Sequence, residues 1–152
     1  MNHITDAALV NLRVREFDAP RQVVDIDPKL CQCSQCYPKQ LALADSRQQL
    51  TWGKLDEQLN RVANALIESG IKPNQRIAIL GSNSVEYALL FLGGLRAGIC
   101  ITPLSTLASS EALAGMINDS GAKLLFVSQD YWNLIDSVTD KLTRLLPGGL
   151  KI

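Results

Sequence analysis

The chain has 152 residues, 47% of them apolar and 20% charged, which is the make-up of a soluble globular protein with enough length for one domain and a core. Fifteen Lys and Arg balance fifteen Asp and Glu, so no net field points to nucleic acid or an anionic membrane as a partner. The longest apolar run, Tyr87 to Leu95, is about half of the ~20 residues that a membrane span needs, and no span is expected. The N-terminal stretch carries Asp6, Arg13, Arg15, Glu16 and Asp18 and lacks the apolar core of a signal peptide, so the expected location is cytoplasmic.

Residues 1–38 read as an extended leader. Ala7 to Val14 suit a helical turn or two, but Pro20, Pro28 and Pro38 interrupt the pattern. Cys31, Cys33 and Cys36 fall here, in a polar stretch expected to be a loop of accessible, reduced thiols. A metal site would need a further ligand; the sole histidine is His3, and one tight cluster is not two spaced ligand pairs.

Residues 39–152 carry the regular pattern. Leu41 to Asp45 and Leu50 to Trp52 flank Ser-Arg-Gln-Gln as a small hairpin. Thr51 caps a helix from about Gly53 to Ser69, with Leu55, Leu59, Val62, Ala63 and Leu66 on one face and Gly70 just past its end. A turn leads to Arg76 and a buried strand, Ile77 to Leu80. Asn83 is the expected N-cap of the next helix, with Glu86 completing a capping box. That helix is apolar around much of its circumference (Val85, Tyr87, Ala88, Leu89, Leu90, Phe91, Leu92, Leu95), so contacts on more than one side are expected. Arg96 places a cation at its C-terminus and Gly98 supplies the left-handed residue that ends it.

Ile99 to Thr102, stopped by Pro103, read as a strand covered on both faces, with Cys100 as a buried thiol. Ser109 caps a helix over about 110–120 that buries Leu113, Met116 and Ile117 and ends at Gly121. Lys123 to Val127 form another buried strand. A last amphipathic helix is expected from Tyr131 to Leu146, with Leu134, Ile135, Val138, Leu142 and Leu145 on one side. Alternating strands and helices with short links imply an α/β fold with helix, parallel sheet and helix in three layers.

The residues name no chemistry. Neither common glycine-rich phosphate loop follows a predicted strand. Leu80 to Ser84 does lead from a strand end into a helix N-terminus, where an anion can bind, although Asn83 is already explained as a cap. With His3 as the only histidine, no Ser–His or Cys–His pair has a positioned base. Asp56 with Glu57, and Asp136 with Asp140, fall on predicted solvent faces, and Trp52 and Trp132 suit packing roles. No catalytic, cofactor-binding or metal residue is assigned.

Four stretches in series resemble the acyl-adenylating (AMP-dependent synthetase/ligase) superfamily. LTWGKLDEQLNRVANAL (Leu50 to Leu66) is similar to its first core motif, and LRAGICITPLS (Leu95 to Ser105) to its second. GIKPNQRIAILGSNSVEYALLFLGGL lies between them, and DSGAKLLFV (Asp119 to Val127) follows in the expected place. Trp52 stands where the family usually has Tyr and Arg96 where it has Lys, while Ser105 favours the acyl- or aryl-CoA ligase branch over peptide synthetases.

The resemblance implies an incomplete N-terminal portion of the synthetase fold over residues 39–152. It implies a parent acyl-CoA synthetase that uses ATP, magnesium and coenzyme A, none of which this segment is expected to hold, since the family's phosphate loop and mobile lysine are not in the sequence. The expected partner is the remainder of such a ligase, or a second copy. A non-catalytic interaction module and a small stand-alone nucleotide binder using Leu80 to Ser84 stay open as alternatives.

Overall fold

A computed structural model of the chain describes residues 26–146 and the backbone of residues 150–151. His3 and the expected turn at Ala7 to Val14 lie outside the described residues.

The first described element corrects the reading of residues 26–36 as extended leader and loop: they form helix α1, Ile26–Cys36. Pro28 is compatible with it because it falls in the first turn, where backbone N–H groups have no intrahelical acceptor. Cys31 and Cys33 are therefore half-buried on a helix, while Cys36 is exposed.

The expected hairpin forms from β1 (Leu41–Ala44) and β2 (Gln49–Thr51), antiparallel, with a register irregularity between Leu41 and Leu43. Thr51 then caps α2, Trp52–Glu68, its hydroxyl accepting from the Lys54 N–H. Leu55, Leu59, Ala63 and Leu66 are buried along one stripe, and Gly70 takes a φ of 86° as the chain leaves.

The main sheet has the order β4-β3-β5-β6, all parallel, with β3 at Arg76–Leu80, β4 at Cys100–Pro103, β5 at Leu124–Val127 and β6 at Leu150–Lys151. Side chains alternate across it. Ala78, Leu80, Leu125 and Val127 meet Leu113 and Ile117 of α4 (Ser110–Ser120) and Ile135 of α5 (Trp132–Asp136). Ile77 and Leu124 meet Leu66 of α2, with Val62 and Leu90 packed alongside, Leu90 belonging to α3 (Val85–Arg96). Helices thus cover both faces, as the alternation implied.

Four details differ from expectation. The N-cap of α3 is Ser84, not Asn83; its hydroxyl accepts from the Tyr87 N–H at 3.1 Å. Strand β4 pairs only with β3 among the described residues, and Cys100, expected as a buried thiol on a strand covered on both faces, is exposed. Pro103 belongs to that strand, opposite Ile79, rather than stopping it. On α4 the buried stripe is Leu113, Ala114 and Ile117, and Met116 is exposed.

The long C-terminal helix is absent as such: α5 covers only Trp132–Asp136, and a tight turn follows at Thr139–Lys141. Hydroxyls explain the interruption, because Ser137 and Thr139 bond back to the carbonyls of Leu134 and Asp136. The Asn118 side chain then takes the Lys141 carbonyl and the Thr143 N–H, drawing the backbone onto α4.

Helix α3 is half-buried over most of its length because it lies between α2 and the sheet. Gly93 and Gly94 make this possible. A Cβ at Gly93 would sit 2.6 Å from Val62 Cγ1 of α2, and one at Gly94 would sit 2.4 Å from Ile101 Cδ1 of β4.

Candidate functional site

The loops after the two central strands diverge. β3 runs through Gly81–Ser84 into α3 on one face of the sheet, whereas β5 runs through Ser128 and a turn at Gln129–Tyr131 into α5 on the other. Adjacent parallel strands whose exits part in this way leave a crevice at their carboxyl ends, the place where open α/β sheets bind ligands.

A cavity of about 160 Å³ occupies that crevice, walled by Leu80, Tyr87, Leu90, Phe126 and Ser128, with Gly81 at its floor. Glycine at 81 keeps it open, since a Cβ there would lie 3.2 Å from Ser128 Oγ and 3.6 Å from the Tyr87 ring. Ser82 Oγ and Tyr131 Oη, 2.7 Å apart, tie the two diverging loops together across it. Desolvation pushes the Tyr87 hydroxyl above the ordinary tyrosine range. The only charged side chain in the lining is Glu86, which pairs with Arg47 at 3.0 Å and accepts from Gln48 at 2.5 Å.

This geometry decides whether Leu80 to Ser84 can hold a phosphate. The anion position at the start of α3 is filled by the protein itself: the Val85 N–H donates to Asp45 Oδ2 at 2.9 Å. The Arg47 and Gln48 N–H groups donate to the other Asp45 oxygen at 2.8 and 2.9 Å. These three backbone donors, Val85 foremost, hold the Asp45 carboxyl below its usual range. Among the described residues no Lys or Arg lines the cavity. The described residues therefore do not fit the triphosphate of ATP here, and the reading as a stand-alone nucleotide binder loses its site.

At the other end of α3, Arg96 does more than complement the helix dipole. Its side chain is 9% exposed and reaches two further helices. Nε donates to Asp27 of α1 at 2.6 Å, Nη2 to the Asp56 carboxylate of α2 at 2.8 Å, and Nη1 to the Asp56 carbonyl and Asn60 Oδ1. Burial works against the guanidinium charge, but Asp27 and Asp56 outweigh it and hold the proton more firmly than usual. Asp56 is therefore not the solvated face residue the spacing suggested. Its neighbour Glu57 is solvent-facing and paired with Lys54 and Arg61. Asp136 and Asp140 are exposed as expected, and Trp52 and Trp132 are half-buried.

Cys31 sits against the Arg96 cluster, its sulfur 3.6 Å from Arg96 Nη2 and 3.9 Å from Asp56 Oδ1. Burial first, then Asp27 and Asp56, push its thiol up against the opposing pull of Arg96, which makes it a poor nucleophile at neutral pH. Among the described residues no group of three or more His, Cys, Asp or Glu is placed to hold a metal ion. No described helix is long and apolar enough to cross a membrane.

The family described as AMP-binding enzyme matches residues 32–148, from within α1 to beyond the last turn. The chain belongs to that family. Among its relatives, tyrocidine synthase 3 of Brevibacillus parabrevis is 33% identical over 72% of this chain, and the chain covers 2% of that protein. The 4-hydroxybenzoate/benzoate–CoA ligase of Rhodopseudomonas palustris is 28% identical over 69% of the chain, which covers 20% of the ligase. Among solved structures, the anthranilate–CoA ligase AuaEII bound to anthranoyl-AMP superposes with a TM-score of 0.76 at 24% identity, over 84% of this chain and 25% of that one. The chain thus spans a small part of the relatives it matches, and its fold is that of the N-terminal part of the AMP-binding enzymes.

Three participants were invisible to sequence reading. Asp45 ends a strand, and nothing in its neighbourhood says that it meets a helix start 40 positions on. Asp27 lies in a stretch read as leader. The Ser82–Tyr131 tie depends on which strands are neighbours, which alternation alone does not fix.

Proposed function

We propose that this chain is the N-terminal scaffold of an AMP-forming, acid-activating ligase, most akin to the acyl- and aryl-CoA ligases. The parent reaction would convert a carboxylic acid to an acyl-adenylate and then to a coenzyme A thioester, with ATP, magnesium and coenzyme A held by residues outside this chain. The observation that carries the reading is the family match over residues 32–148, combined with a parallel sheet shared with an anthranilate–CoA ligase. Ser105 after Pro103-Leu104 supports the CoA-ligase branch, and the benzoate–CoA ligase relative agrees with an aryl or acyl acid as substrate.

The chain's own contribution is positional. The Arg96 cluster and the Asp45 contact fix α3 to α1, α2 and the hairpin, and the sheet beneath it would carry the loops that do the chemistry. The Asp45-filled helix start and the lack of cations in the crevice support inactivity of the isolated polypeptide. Carboxylate-dependent ATP–pyrophosphate exchange tests this directly: the purified 152-residue chain is expected to give no exchange above background with benzoate, anthranilate or a fatty acid. Exchange with any of them overturns the scaffold reading. Sequencing the source transcript past codon 152 tests the parent. A Ser/Thr/Gly-rich loop ending in Pro-Lys-Gly is expected there, and its absence from every frame would favour an interaction module instead.

A further inference from the structure

We propose that the crevice between the carboxyl ends of β3 and β5 is itself a binding site, for a neutral ring-sized molecule bearing one hydroxyl or carbonyl group. The inference goes beyond the ligase reading and does not rest on it.

Size sets the first limit. The cavity of about 160 Å³ is close to the ~150 Å³ apolar cavity that accommodates a benzene molecule. It is too small for a nucleotide. The walls set the second limit: Ile79, Leu90, Phe126 and the Tyr87 ring present apolar surface from both strands and from α3. Such a lining with a few convergent polar groups is the usual make-up of a small-molecule site.

The polar groups sort themselves by what they already do. Ser82 is tied to Tyr131, the Ser84 hydroxyl caps α3, and Glu86 is engaged by Arg47 and Gln48. The Tyr87 and Ser128 hydroxyls have no partner among the described residues. Both residues border Gly81: a Cβ there would lie 3.2 Å from the Ser128 hydroxyl oxygen and 3.6 Å from the Tyr87 ring carbon Cδ2. A ligand hydroxyl or carbonyl in the cavity would pair with the Ser128 hydroxyl beside Gly81 or with the Tyr87 hydroxyl of the facing wall, each able to donate or accept. Charge sets the third limit. Among the described residues no cation lines the cavity, the α3 N-terminus already holds the Asp45 carboxylate, and Glu86 belongs to the lining, so a carboxylate would be desolvated without a counter-charge from them.

Titration of the full ¹⁵N-labelled chain with benzyl alcohol, followed by amide NMR, tests the assignment. Saturable shifts are expected at Gly81, Ser82, Tyr87 and Ser128, with the amides of α4 unmoved. Benzoate is expected to bind at least fivefold more weakly. Gly81→Val and Ser128→Leu fill the cavity from opposite strands, and each is expected to weaken binding at least tenfold; two variants are used so that one that fails to fold leaves the other to read. Non-saturating or scattered shifts, undiminished binding by a folded cavity-filling variant, or benzoate binding as well as the alcohol would each overturn the proposal. Because no nucleotide is present, these outcomes are independent of the exchange and transcript experiments.

Discussion

The two ends of α3 are held by opposite devices. At its start the helix receives an anion: Asp45, on the hairpin turn, accepts from the Val85 backbone N–H while its other oxygen orders the turn itself. At its finish the helix extends a cation: Arg96 crosses to α1 and α2 through a nearly buried guanidinium. The first contact is half-buried and made through the backbone, with one carboxylate at the edge of the hairpin, so its loss frees groups that water can largely solvate. The second gathers two carboxylates around one side chain, and its loss leaves the two like charges close together without the cation between them. A helix can obey the dipole rule at both ends and still depend on them very unequally.

The sharpest way to break that comparison is Arg96→Leu. With Asp27 and Asp56 left facing each other and partly desolvated, a loss of about 2–3 kcal/mol in urea unfolding is expected, below the full penalty for a deeply buried pair because both carboxylates keep some solvent. Arg96→Lys retains the charge but not the fork that reaches Asp27, Asp56 and Asn60 at once, and about 1 kcal/mol is expected. An Arg96→Leu variant as stable as the parent would show that the two ends are equivalent after all.

Between the ends, Gly93→Ala sharpens it. The added Cβ meets Val62 at its branch point, 2.7 Å from Cβ, and α2 would have to move. Strain of ~2 kcal/mol from overpacking set against a ~1 kcal/mol gain in helix propensity leaves a net loss of about 1 kcal/mol. Gly94→Ala meets only the Ile101 terminal methyl, which can rotate away, so it is expected to be close to neutral by the same measurement.

Asp45→Asn probes the weaker end, and pH reveals its sign. The folded protein holds the Asp45 carboxyl below its ordinary value, so the stabilisation is complete above the usual carboxylate range of ~3.9. It is lost as pH falls through the depressed folded value. Urea midpoints of parent and variant are therefore expected to differ slightly near neutrality and to converge on strong acidification. A gap that widens in acid would contradict the hydrogen bonds to Val85, Arg47 and Gln48. Smallest of all is an effect with no cost in stability: iodoacetamide is expected to modify Cys36 and Cys100 well before Cys31 in the native chain, read by peptide mass.

Local chemistry was legible wherever one stretch of chain answers its own needs. Thr51 and Ser109 cap the helices assigned to them, and Gly70, Gly98 and Gly121 take the positive φ that a helix exit asks for. The alternation of strands and helices gave the layered parallel sheet, and the four matching stretches gave the family. What failed depended on neighbours. Burial of Cys100 hinged on both faces of β4 being covered, and exposure of Met116 on how α4 is rotated against the sheet. Asn83 and Ser84 are equally good caps by composition, and only the backbone path decides between them. The long C-terminal helix satisfied its periodicity but not the pull of Asn118, which lies on another helix. In the candidate site, each wall was readable as a strand or helix residue; the crevice was not, because it exists only where β3 and β5 lie side by side.

Pro103 gives strand β4 a polarity that governs how the sheet can be enlarged. The N–H groups of Cys100 and Leu104 point inward to Gln75 and Ile79 of the β3 segment, so the alternate positions, Ile101 and Pro103, turn toward the outer margin. Proline has no hydrogen to offer there, so within the four residues of β4 Ile101 supplies the one N–H facing that border, a poor template for another chain. Strand addition is thereby disfavoured at the β4 border of the described sheet.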